Sequence, residues 1–177
     1  MTRLSGQVED LGRIIVQWAH VLSGVLWIGG GFYTILVQLP ALAAMPMPAR
    51  GPALAALGPR QVRYVMRVAE LTIATGILQI FVNPHAPSLT ELAGLSSRWA
   101  LAIVAGAVMA FVAYGILRGA LKPAIERLLA IAPTAAGGDA AAAAQVGVIR
   151  ERIRRLGYSQ LALGTLIVGA MVTARFS

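Results

Sequence analysis

The chain has 177 residues, of which 58% are hydrophobic and only 12% charged, with a mean hydropathy of +0.74, a balance that excludes an ordinary soluble domain. Its formal charge of +8 does not point to nucleic acid, because the basic residues flank apolar runs and are not interleaved with aromatics on a soluble face. The absence of cysteine excludes disulfides, iron–sulfur clusters, thiolate metal sites and covalently attached haem, so redox chemistry here needs imidazole or thioether ligands.

Crossing the hydrocarbon core of a bilayer takes a helix of about 20 mostly apolar residues. Four runs meet that requirement, at 14–39, 64–82, 99–117 and 156–174. They predict an all-α, integral membrane four-helix bundle forming a single membrane domain over residues 1–177. The first run is about twice the length of a signal-peptide core and follows Glu9 and Asp10, which marks it as a retained span. It also carries His20, and an ionisable residue held in lipid marks function by default. Steps of four, three and four residues lead from His20 to Gly24, Trp27 and Gly31 on one helical face. The two glycines leave a groove, Trp27 supplies a flat wall and Ser23 can donate a hydrogen bond, a combination suited to a porphyrin ligated by imidazole. The alternative is a buried histidine hydrogen-bonded to a neighbouring helix, with the glycines serving helix packing.

Between the first two spans lie Pro40, Pro46, Pro48, Pro52 and Pro59 with Gly51 and Gly58. That composition predicts an irregular loop with at most a short helix at Ala53–Leu57. The second span opens with Arg63, Arg67 and Glu70 at spacings that share a face, which suits interfacial arginines with a local ion pair. Arg67 is also a candidate to neutralise a carboxylate of a bound group, such as a propionate. Thr72, Thr75, Gly76 and Gln79 offer small and polar positions for helix contacts. Prolines on both sides of His85 place this second histidine in the 83–98 loop, on the same side as His20, which lies about 9 Å below the start of its span.

Small residues repeat every four positions at Ala102, Gly106 and Ala110, at Gly115 and Gly119, and at Thr165, Gly169 and Thr173, faces that suit close helix packing or a homo-oligomer. Met109 and Met171 suit either core packing or thioether ligation, and His20, His85 and Met171 together form a candidate copper set. An interfacial segment at Pro123–Ile131 and a flexible linker at 133–138 precede Asp139, a helix N-cap. From there an alanine-rich cytoplasmic helical extension runs into the fourth span, ending in a basic stretch, Arg150 to Arg155, that suits anionic headgroups. Residues 40–67 and 118–155 hold eleven of the fifteen cationic residues, against Arg3, Arg13, Arg98 and Arg175 elsewhere. By the positive-inside rule the two long connections face the cytoplasm, and both termini and the 83–98 connection lie outside.

The run His20-Val-Leu-Ser-Gly24-Val-Leu-Trp27-Ile-Gly29-Gly-Gly-Phe-Tyr33, continued by Val37-Gln38-Leu-Pro40, resembles the first helix of the membrane domain of bacterial membrane-bound urate oxidases. That helix is similar in turn to the opening helices of the copper-resistance D family and of the four-helix membrane protoporphyrinogen oxidases. Pro59-Arg60 through Arg67 to Thr75-Gly76 resembles the next stretch of the urate-oxidase domain, so the likeness spans mainly residues 16–80. It implies a bacterial inner-membrane protein that binds haem b or another redox group at His20 and serves in electron transfer or as the membrane subunit of an oxidoreductase. Where the protoporphyrinogen oxidase pattern has a functional lysine, this chain has Ser97-Arg98-Trp99, and arginine does not act as a proton-accepting amine. A copper-handling protein and a membrane scaffold or assembly subunit are the alternative readings. The partners expected are the lipid bilayer and a redox partner or a second copy, with no nucleic acid.

Overall fold

The computed structural model describes residues 2–82 and 97–177, all of them helical apart from short turns and ends. The apolar first run lies in α1 (Thr2–Tyr33), which passes through a π-helical turn at Thr34–Gln38 into α2 (Leu39–Ala44). After the turn at Met45 and Pro46, α3 (Met47–Val82) runs back along α1. The second half is built the same way. Helix α4 (Arg98–Ile116) passes through a π-helical turn at Leu117–Leu121 into α5 (Lys122–Ala136), and α6 (Ala140–Arg175) returns along both.

The proline-rich 40–59 region is therefore helical and not the expected loop, and the expected linker at 133–138 narrows to the turn at Gly137 and Gly138. Two features account for the helices surviving their prolines. Proline in a helix clashes with the carbonyl four residues earlier and lacks an N–H. Pro40 and Pro123 each come directly after a π-helical turn, in which Leu39 N–H reaches Thr34 O and Lys122 N–H reaches Leu117 O. The wider turn moves aside the carbonyls of Leu36 and Gly119, which the proline rings would otherwise strike. Pro52 and Pro59 lie inside α3 where packing holds the helix: Leu54 joins a core formed by α5 and α6, and Gly58 abuts Leu129.

Gly138 adopts φ of +94°, a conformation open to glycine at little cost, and this reverses the chain between α5 and α6. The Asp139 side chain then accepts from Ala142 N–H at 2.9 Å, the expected cap. Asp139→Ala is expected to weaken that helix start by about 1 kcal/mol. Faster amide exchange at Ala142 is the measurement that checks it.

Four helical stretches, Glu9–Ala44, Pro48–Val82, Arg98–Ala136 and Ala140–Arg175, are long and apolar enough to cross a membrane. Only 11–22% of their apolar windows is buried within the protein, so most of that apolar surface faces outward. Trp18, Val25, Phe81, Leu101, Val108 and Leu166 are among the exposed apolar side chains, a distribution compatible with a multi-pass membrane protein.

The chain packs as two helix pairs, α1 on α3 and α4 on α6. Trp27, Met66, Ala69, Ala113, Leu117 and Ile167 form the core where the pairs meet. Ile28 fits over Gly164 and Ile35 over Gly157, so α6 approaches α1 through two glycines. A second core at the opposite end of α6 from its last turns joins Ala124 and Leu128 of α5 to Val146, Ile149 and Ile153. The predicted helical extension is thus a packed hairpin. On its outer side Glu151 bonds Arg154 and Arg155, each at 2.7 Å, and the two guanidinium groups hold its carboxyl below the usual carboxylate range.

Candidate functional site

His20 faces α3. Its Nδ1 lies 3.0 Å from Thr72 O and 3.4 Å from Thr75 Oγ1. A carbonyl oxygen only accepts, so Nδ1 carries the proton and donates it to Thr72 O, and in the neutral imidazole Nε2 keeps its lone pair. Thr75 gives its own hydroxyl proton to backbone carbonyls, Leu71 O at 2.7 Å and Thr72 O at 3.2 Å, and so can serve as a second acceptor. Among the described residues Nε2 has no hydrogen-bond partner.

The imidazole rests on Gly76, where a β-carbon would stand 2.9 Å from its Cε1 and 3.3 Å from Nδ1. This glycine gives the ring its room. Gly24 likewise admits Thr72, whose methyl lies 3.7 Å from where a β-carbon would be. The space that the sequence offers beside His20 on its own face is therefore filled by Thr72 and Gly76 of α3, and α1 presents no open groove there. Ser23, 1% exposed, donates to Ala19 O at 2.7 Å and His20 O at 3.1 Å, so it serves the backbone and not the imidazole.

Trp27 and Gly31 continue the face of His20 but open on a different feature. Together with Gln61, Leu117, Gln160 and Gly164 they line a cavity of about 100 Å³ between the helix pairs. Gln61 Nε2 donates to Thr34 Oγ1 at 2.7 Å and Gln160 Nε2 to Ala113 O at 2.7 Å, so the amides at its wall tie helices together. Such a volume is far below the roughly 300 Å³ at which cofactor-sized pockets begin. A porphyrin does not fit this cavity.

Arg67 is exposed, and it makes no ion pair among the described residues. Glu70 accepts instead from Tyr114 Oη at 3.0 Å, which replaces the local arginine pair expected on α3 with a bond between the two helix pairs. Met171 belongs to the α4 and α6 pair, where its terminal methyl fills the notch at Gly106. His20 belongs to the other pair. His85 lies outside the described residues, and among those described no cluster of three histidine or carboxylate side chains is placed to hold a metal ion.

The residues that orient His20 are visible in the sequence only as small and polar contact positions of the second span. A sharper signal is present. His20 lies 25 residues before Met45 and Thr72 lies 26 after Pro46, so a continuous antiparallel helix pair turning at 45–46 brings them level. Compared with known protein families, curated proteins and solved structures, the chain matches none.

Proposed function

We propose that this chain is a multi-pass protein of a bacterial inner membrane that binds haem b or another redox group at Nε2 of His20, outside the small cavity at Trp27, and acts in electron transfer or as the membrane subunit of an oxidoreductase. The observation that carries the reading is the bond from His20 Nδ1–H to Thr72 O at 3.0 Å. Histidines that ligate metals almost always donate their other ring proton to a carbonyl or carboxylate, which fixes the tautomer and makes the ligating nitrogen more basic. Nε2 of His20 is prepared in that way. Haem held there would supply one-electron chemistry at its iron. The resemblance of residues 16–80 to membrane domains whose first-helix histidine is expected to hold haem b or to sit in a metal or redox site supports the same reading.

The chain's own residues provide the surroundings. Thr72 and Thr75 hold the ring and Gly76 leaves it space. Arg67, which makes no ion pair among the described residues, is the cation proposed to meet a carboxylate of the bound group. The positive-inside rule puts the α5 and α6 hairpin in the cytoplasm and His20 in the outer half of the membrane. Gly115, Gly119 and Gly169 have open space where a side chain would be, which suits close contact with a redox partner or a second copy.

The test is the absorption spectrum of protein purified after haem-replete expression. A Soret band is expected in the wild type and its loss in His20→Ala. A wild-type protein without the band, or a band unchanged in His20→Ala, overturns the reading.

A further inference from the structure

At the end of the helix pair formed by the start of α1 and the close of α3 lies a groove of about 530 Å³, within the range of small-molecule sites. Its walls include Gln17, Trp18 and Val21 of α1 and Gln79 and Val82 of α3, with Arg13 at one end. Trp18 is 65% exposed, so the groove opens sideways from the protein into the surrounding phase. We propose that this groove binds the head of a lipid-soluble quinone.

Three features select that chemistry. First, Gln79 lines the groove, and its Nε2 is enclosed without a hydrogen-bond partner among the described residues. An enclosed donor without an acceptor is destabilising. The terminal amide torsion of glutamine is soft, so a small rotation turns the donor toward an acceptor in the groove. Second, the charge of Arg13 is already countered by Asp10 at 3.4 Å, with Glu9 beside it in sequence. Arg13, already paired, offers no unopposed charge to hold an anionic head, whereas a neutral carbonyl needs none. Third, Trp18 offers a flat aromatic face and Val21 and Val82 apolar walls, which suit a planar ring with its tail in lipid. A quinone combines a neutral carbonyl acceptor, a flat ring and an apolar tail.

The groove is separate from the imidazole but adjoins it. Gln17 and Val21 flank His20 in α1, and Gln79 lies three residues beyond Gly76, a rise of about 4.5 Å along α3. The inference stands on the groove and not on haem at His20.

The experiment is equilibrium binding of a decyl-substituted benzoquinone to the full chain in nanodiscs of phosphatidylethanolamine and phosphatidylglycerol, corrected for partition into empty nanodiscs. Saturable binding is expected in the wild type. Gln79→Leu should weaken it at least about tenfold, as loss of a hydrogen bond in a dry site does. Because that change removes an unpartnered donor, the thermal midpoint of the variant should not fall. Val21→Trp, which fills the groove from the other helix, should abolish binding. His20→Ala should lose haem and keep quinone binding, which separates this inference from the function proposed for His20. Partition that never saturates, equal affinity in Gln79→Leu and Val21→Trp, or stronger competition by oleate than by the quinone would each overturn it.

Discussion

Gly76→Leu is expected to weaken haem binding at least about tenfold if His20 holds haem as proposed, the loss typical when a partner orienting a metal ligand is removed, although position 76 supplies no ligand. The imidazole of His20 lies on that glycine, and even a β-carbon would stand 2.9 Å from Cε1. A leucine must push the ring away from α3 and so break the bond from Nδ1–H to Thr72 O. Gly76→Ala is expected to lie between wild type and leucine, because one carbon asks the ring to move by only a few tenths of an ångström. Haem content per chain, read from the Soret band of matched preparations, checks the series, and the thermal midpoint separates ligand loss from misfolding. Full haem occupancy in a folded Gly76→Leu variant would show that the contact with α3 does not set the ligand.

Truncating Trp27 to alanine is expected to cost about 3 kcal/mol of stability, the lower end of the range for large aromatic truncations. The lower end applies because lipid, unlike water, gives exposed apolar side chains a favourable environment, so lost packing dominates the penalty. Trp27 is 6% exposed and sits in the core with Met66 and Ala69 of α3, Ala113 and Leu117 from the second half, and Ile167 of α6. It also borders the cavity of about 100 Å³, so its removal enlarges an existing void between the pairs. Denaturant unfolding in micelles should show the loss, and Trp27→Phe should recover most of it. A Trp27→Ala variant as stable as wild type would mean that the two pairs are held together elsewhere.

The four apolar helices were legible because their signal is additive along the chain. Each residue contributes hydropathy independently, and a run of 18 or more is decided before any tertiary contact forms. Asp139 was legible for a similar reason, since an N-cap acts on an amide three residues away. The concentration of cations at 40–67 and 118–155 is likewise a matter of composition, and Leu54 and Gly58 do meet α5 and α6 in the structure.

The helicity of 40–59 was not legible. Local propensity argues against it at every proline, and the π-helical turn at Thr34–Gln38 that accommodates Pro40 lies upstream of the residue it serves. Packing against α5 and α6 then holds Pro52 and Pro59 in helix against their preference. The same local preference hides the partner of His20, because a long loop at 40–59 removes the register that sets His20 level with Thr72.

Sequence by itself determined that this chain forms long apolar helices with a lone histidine in the first of them, because hydropathy and residue chemistry need no neighbours. Only the tertiary structure decided which nitrogen of that histidine is engaged and by what. The face of Gly24 and Gly31 predicted open space beside the ring, yet α3 fills it at Gly24 with Thr72, leaves it open only at Gly31, and accepts the Nδ1 proton in a hydrogen bond. A backbone carbonyl has no signature in the side-chain sequence, so its meeting with an imidazole 52 residues away emerges only when two helices pack in register.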